Sequence, residues 1–248
     1  MAEVLVLVEH AEGALKKVSV ELLTAARALG EPAAVVTGPA GTADKLQDAL
    51  AAAGAVKVYA AESDDIEGYL VTPKVDVLAS LVESAGPAAV LTAASVEGKE
   101  VSGRLAARIG SGLLVDVVEV KGDGSAVHSI FGGAFTVDAK ANGEVPVISV
   151  RPGAIEAKPE AAAAERVAVE VPAQEENAVK IVSRDIAHKT EAGGVKLKVA
   201  AEDLPGVASE IIASAMHYKP DAVIDGVLVS EMASGVEALI GVVNDEGF

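Results

Sequence analysis

Apolar and polar positions along the first 150 residues alternate between two periods. Residues 4–8 form a continuous apolar run, as expected of a strand buried on both faces of a parallel sheet. Val18, Leu22, Ala26 and Leu29 then recur at helical spacing, and Gly30 with Pro32 stops that helix. The alternation continues with a strand at 33–37, a helix at 45–53 ending at Gly54, and a strand at 56–60. Val75, Leu78 and Val82 mark a helix face that Gly86 and Pro87 end, and residues 88–93 form another buried strand. Val101, Leu105 and Ile109 lie four apart on one further helix face, with Gly110 as the stop. Short connections between such elements predict a right-handed, doubly wound parallel sheet.

After Gly112 the helical period disappears. Residues 113–120, 127–135 and 145–150 are strand-like, and together they predict an antiparallel appendage. The Ala-, Pro- and Glu-rich stretch 152–165 reads as an exposed loop or a short helix, and 166–171 as a last edge strand. Residues 174–177 are polar and read as a linker. Beyond them the pattern predicts strands at 178–183 and 195–199, a charged, glycine-containing loop at 184–194, and a helix at 204–217. Two more strands follow at 223–231 and 236–243. The expected fold class is therefore α/β: a doubly wound, Rossmann-like parallel sheet with an antiparallel appendage, followed by a smaller α+β piece. The expected domains are 1–172 and 178–248, joined by a linker at 173–177.

Composition narrows the functions. Half of the 248 residues are apolar, enough for a sizeable core, and the net charge of −17 argues against nucleic acid as a partner. There is no cysteine, which excludes disulfides, thiolate nucleophiles and iron–sulfur clusters. His10, His128, His188 and His217 show no metal-binding spacing, so no metal site is expected. With three Tyr, three Phe and no Trp, base-stacking platforms are not expected either. No apolar run reaches the roughly 20 residues of a membrane span. The N-terminus also lacks the basic segment and cleavage site of a signal peptide, so the expected location is cytoplasmic with no membrane insertion.

Five stretches, in order along residues 1–172, carry a family resemblance. They are Val4-Leu-Val-Leu-Val-Glu-His10, Gly98-Lys-Glu-Val-Ser-Gly-Arg-Leu-Ala-Ala-Arg-Ile-Gly-Ser-Gly-Leu113, Asp116-Val-Val-Glu119, Phe131-Gly-Gly-Ala-Phe135 and Val150-Arg-Pro-Gly153. This segment resembles the N-terminal domain of the electron transfer flavoprotein alpha subunit. The resemblance implies a heterodimer with a beta subunit that moves electrons from dehydrogenases, such as those for acyl-CoA, to a membrane quinone reductase. In the intact family FAD sits mainly in a C-terminal domain of the alpha subunit, and AMP in the partner. The glycine- and serine-rich flavin motifs of that domain find no counterpart here. The expectation is a scaffold that docks on the beta subunit and holds no FAD alone.

A second resemblance begins at about residue 178. Lys180-Ile-Val-Ser-Arg-Asp-Ile-Ala-His-Lys-Thr-Glu-Ala-Gly-Gly-Val-Lys-Leu197, Asp225-Gly-Val-Leu-Val-Ser-Glu-Met232 and Gly235-Val-Glu-Ala-Leu-Ile-Gly-Val-Val243 are similar to the ATP-grasp part of NDP-forming acyl-CoA synthetases. Arg184 stands where that family usually has proline. The sequence ends before its metal- and phosphate-binding strands, so the segment is expected to be incomplete. The resemblance implies that Lys180 contacts ATP phosphates, that Glu231 and Glu237 lie near adenine and ribose, and that His188 transiently accepts a phosphoryl group. Imidazole suits that role because it is partly neutral and nucleophilic at pH 7. Read from the residues alone, Lys180 is equally a strand lysine reaching to water, and His188 an exposed histidine without a task. Mg-ATP is the cofactor this piece would take.

Other residues are open to plainer readings. Gly132 and Gly133 between two phenylalanines form a bulge or tight turn, or permit a close approach of a partner. Gly110-Ser111-Gly112 follows a helix, so it reads as a helix cap and not as a phosphate loop. Glu9 and His10 end the first strand, at the edge where open sheets bind ligands, but without an evident pairing group they read as structural. Three accounts of the chain follow: a non-catalytic alpha-subunit-like scaffold, a fragment of an ADP-forming acid–CoA ligase with residual nucleotide binding, and a chimera joined near residues 179–184.

Overall fold

The computed structural model describes residues 2–172, Ser183, Asp185, Gly194 and 204–228. The chain divides into two compact units, Met1–Lys180 and Ile181–Phe248. In the first unit the order is β1 (Glu3–Leu7), β2 (His10–Ala11), β3 (Ala14–Leu15), α1 (Lys17–Ala26), β4 (Glu31–Gly38), α2 (Thr42–Ala53) and β5 (Lys57–Glu62). It continues through α3 (Asp65–Gly68), α4 (Thr72–Ala85), β6 (Ala89–Ala93), α5 (Val96–Ile109), β7 (Leu113–Val120) and β8 (Ser125–Ile130). The last elements of this unit are β9 (Phe135–Lys140), β10 (Val147–Val150) and β11 (Glu165–Val169).

Nine strands form one sheet in the order β11-β5-β4-β1-β6-β10-β7-β8-β9. Every neighbour pair from β11 to β7 is parallel, whereas β7–β8 and β8–β9 are antiparallel. The parallel strands read as continuous apolar runs because helices cover both of their faces. Val4, Val6, Val36, Leu91 and Ile148 pack with Leu22, Leu23, Leu46 and Leu50 of α1 and α2 on one face. Leu5, Leu7, Val35, Val90 and Val147 pack with Leu78, Leu81, Val101 and Leu105 of α4 and α5 on the other. Alternate residues of one strand thus feed two separate cores. The doubly wound, Rossmann-like expectation holds.

The stretch 145–150 departs from its expected place. It was assigned to the antiparallel appendage, yet β10 inserts between β6 and β7 and is parallel to both. The appendage is instead the meander β7-β8-β9. The expected strand 127–135 is also two strands, because the chain reverses through the turn Phe131–Gly133. Stretch 152–164 is the loop of the two alternatives, and it is stitched to the helices beneath it. Gly153 N–H donates to Glu21, Lys158 N–H to Thr24 Oγ1 at 3.0 Å, and Ala162 N–H to Ala51 O at 2.9 Å. This loop carries the chain to β11, which occupies the sheet edge beside β5 as expected of 166–171.

In the second unit the expected helix is α6 (Leu204–Tyr218). Ala215 on α6 packs with Ala222 and Ile224. Asp185 accepts from Val223 N–H at 2.8 Å through its carboxylate and from Lys219 Nζ at 3.0 Å through its carbonyl. Residues 222–228 carry no strand pairing, in contrast to the expected strand at 223–231. The strands expected at 178–182, 195–199 and 236–243 lie outside the described residues.

Candidate functional site

β8 and β9 project a hairpin whose tip is built from Ile130, Phe131, Gly132, Gly133 and Phe135. Gly132 and Gly133 take positive φ of 65° and 90°, which resolves their reading as a tight turn. Phe131 itself sits at φ 51°, a conformation rare for a bulky residue and costing of order 1–2 kcal/mol. That backbone holds its ring outward: Phe131 is 79% exposed and Phe135 62%. The rings meet edge to face with centroids 6.0 Å apart. Ile130 lies directly opposite Phe135 and His128 opposite Val137, so Ile130 and Val137 extend the apolar strip along the same face. An exposed, contiguous aromatic patch is a mark of an interaction surface.

The base of the hairpin is locked by an ion pair. Strand β7 shifts register against both neighbours around Val117, and Asp116 just before it has φ 61°. Such bulges bend a strand and redirect its side chains. Here Asp116 is aimed at Arg151, whose Nε and Nη2 donate to one carboxylate oxygen at 3.1 and 2.7 Å. Arg151 Nη2 also donates to Ser129 O at 3.1 Å, and Arg151 N–H to Val117 O at 2.9 Å. One arginine therefore ties β7, β8 and the end of β10 together. Hydrogen bonding from Arg151 holds the Asp116 carboxyl below the ordinary carboxylate range, against the opposing effect of burial, with further help from Lys99 and His128. The Asp116 carboxylate in turn raises the Arg151 guanidinium.

The turn that follows Arg151 is anchored to α1. Glu21 is fully buried and accepts from Gly153 N–H at 2.8 Å. Lys17 stands 3.5 Å from its other oxygen, largely in solvent. At the carboxyl end of the parallel strands, Glu9 finds the partners that the sequence did not supply. Its carboxylate accepts from Ser95 Oγ and from Lys16 Nζ, and Ser19 bridges its backbone N–H and carbonyl at 2.8 Å each. His10 Nε2 bonds Thr37 O at 2.9 Å. Both residues are tied into the fold at the edge where open α/β sheets bind ligands. Gly110, at φ 64°, caps α5 as expected.

Lys180, His188, Glu231 and Glu237 lie outside the described residues. Among the described residues no group of three or more His, Asp or Glu side chains is placed to hold a metal ion. One open depression on the described surface is lined by Lys121, Asp123, Asp138 and Lys140. No described helix is long and apolar enough to cross a membrane.

Sequence reasoning singled out the glycine turn but missed Arg151, Asp116, Ser129 and Lys99 as one neighbourhood. A signal was available: three of the stretches that carry the resemblance, 98–113, 116–119 and 150–153, contribute to it.

Fold and site together define a doubly wound α/β domain that presents a braced, aromatic-tipped hairpin to solvent. The chain belongs to the electron transfer flavoprotein domain family, whose model matches residues 4–176. An ATP-grasp domain model matches residues 145–248. The electron transfer flavoprotein subunit alpha of Mycobacterium tuberculosis is 71% identical over 178 residues, 72% of this chain and 56% of that protein. Its counterpart from Mycobacterium leprae is 66% identical over 184 residues, 74% of this chain and 58% of the relative. The chain thus spans a little over half the length of these curated relatives. The ADP-forming acetate–CoA ligase I of Archaeoglobus fulgidus is 41% identical over 71 residues, 28% of this chain and 10% of the ligase.

Proposed function

We propose that the chain acts as an alpha-type scaffold of an electron transfer flavoprotein, docking a beta-type subunit through the β8–β9 hairpin and serving electron transfer from dehydrogenases in the cytoplasm. The observation that carries this reading is the exposed Phe131–Phe135 pair, on a left-handed backbone that the Arg151–Asp116 pair braces. Solvent-exposed aromatics held rigidly lose little entropy on binding, and aromatic anchors dominate the energetics of protein interfaces. In this reading the first unit recognises the partner and bears no redox group of its own. The test mixes the purified chain with a beta subunit and measures complex formation by size exclusion and calorimetry, with a flavin absorbance scan of the complex. The double variant Phe131→Ala/Phe135→Ala is expected to weaken binding at least tenfold without a change in Tm. Equal binding by the double variant would remove the hairpin from the interface.

A second reading rests on the ATP-grasp match and the ligase relative: residues 178–248 bind nucleotide, with Lys180 on the ATP phosphates, Glu231 and Glu237 at adenine and ribose, and His188 as phosphoryl acceptor. A thermal shift with Mg-ATP that Lys180→Ala abolishes supports it. An unshifted wild-type protein counts against it.

A further inference from the structure

The docking surface has an electrostatic side that its aromatic tip does not account for. Arg151 spends Nε and Nη2 on Asp116 and Ser129, while Nη1 makes no hydrogen bond among the described residues. Lys99, in the first turn of α5, is exposed and has no ion pair among the described residues. Ala94 N–H donates to Val150 O at 2.7 Å, which sets the start of α5 beside Arg151, and the Lys99 charge acts on Asp116 from there. The α5 carboxylates are already matched, Glu97 by Lys74 and Glu100 by Arg104. Two cations therefore face one carboxylate, leaving a local surplus of positive charge on a chain of net charge −17. Arg151 joins this spot to the hairpin, since its contact with Ser129 O lies two residues before Phe131.

We infer that Arg151 and Lys99 form a cationic rim that receives an acidic side chain of the second subunit, set beside the apolar patch that covers Phe131 and Phe135. This rests on the docking reading above and adds the chemistry of the partner's contact. A guanidinium whose orientation is fixed by Asp116 and Ser129 offers a pre-set donor, so little order is lost when a carboxylate arrives. A macromolecule fits better than a small anion, because the rim runs into an exposed aromatic strip. Long-range attraction from such a rim acts mainly on encounter and on partner choice.

The experiment measures binding of the full chain to the beta subunit of the Mycobacterium tuberculosis flavoprotein by calorimetry at about 50 and 300 mM NaCl, where screening differs strongly. Lys99→Glu is expected to weaken binding about fivefold or more at low salt and far less at high salt, with the fold retained because Lys99 has no ion pair among the described residues. Lys99→Glu binding within twofold of wild type at both salts would overturn the inference. If Phe131→Ala/Phe135→Ala still loses affinity in that case, the docking reading survives and only the rim falls. If neither variant changes affinity, both fall. Sedimentation of the chain alone provides the remaining check: self-association tighter than beta-subunit binding would assign the surface to a second copy and overturn the commitment to a partner subunit.

Discussion

Two glycines in α5 look interchangeable in sequence, and the fold gives them opposite signs. Replacing a helical Gly with Ala ordinarily stabilises by up to about 1 kcal/mol. At Gly103 a Cβ would meet nothing within 4 Å, so Gly103→Ala should deliver most of that gain. At Gly98 the Cβ would fall under 3.0 Å from the backbone carbonyl oxygen of Ala93 and 3.1 Å from both Ala93 C and Ser95 Oγ. Ala93 is the last residue of β6, paired with Val150, and Ala94 N–H donates to Val150 O at 2.7 Å. A carbonyl held in a central strand cannot yield, so the first turn of α5 must lift. Lifting it strains the Ser95 cap on Gly98 N–H and the buried Thr92–Ser102 hydroxyl pair, each worth about 1 kcal/mol. Overpacking adds about 1–3 kcal/mol. Set against the propensity gain, Gly98→Ala should lose about 2–4 kcal/mol, a fall in Tm of about 4–16 °C for a domain of this size. Thermal unfolding followed by circular dichroism, with Gly103→Ala as the internal control, reads both signs. A Gly98→Ala protein as stable as wild type would refute the claim that α5 is seated against the end of β6.

Three further expectations test the braces around the hairpin and its anchor. Glu21→Ala leaves Gly153 N–H without an acceptor and should cost about 1–3 kcal/mol by urea denaturation, whereas Glu21→Gln, which keeps an acceptor, should retain most of the stability. The Asp116 carboxyl is lowered in the folded state, so its contribution is complete above the ordinary carboxylate pKa of about 3.9 and fades as pH falls through the lower folded value. The Tm gap between wild type and Asp116→Asn should therefore be steady from pH 7 to about 5 and close below about pH 4. A gap that widened in acid would contradict the pairing. Arg151→Ala should raise hydrogen exchange at β8 and β9 while leaving β1 and β4 protected, because the bonds it removes reach β7 and β8.

The candidate site was partly legible. The Phe-Gly-Gly-Ala-Phe run announced a turn flanked by rings, since two adjacent glycines relax the backbone where side chains otherwise forbid it. That the rings stand in solvent was not legible, because an apolar residue alone does not declare its neighbours. Asp116 looks like any polar residue in an apolar strand; only a bulge on β7 turns it toward Arg151, 35 positions further on. Glu9 and His10 seemed unpaired for the same reason, their partners Ser95 and Thr37 arriving from other strands and helices.

By itself the sequence determined the order of the main strands and helices in residues 1–112, though not the small hairpin β2–β3 or the short α3. Continuous apolar runs and four-residue spacings are local, and glycine and proline punctuate them through backbone sterics. It likewise determined the α/β class, since strands apolar on both faces require helices on both sides. Only the tertiary structure decided where β10 goes. Its short apolar run is equally suited to an appended hairpin or to the gap between β6 and β7, and the choice lies in hydrogen bonds to strands tens of residues away. The same long-range pairing gathered Lys99, Asp116, Ser129 and Arg151 beside the aromatic hairpin, a juxtaposition that no local pattern encodes.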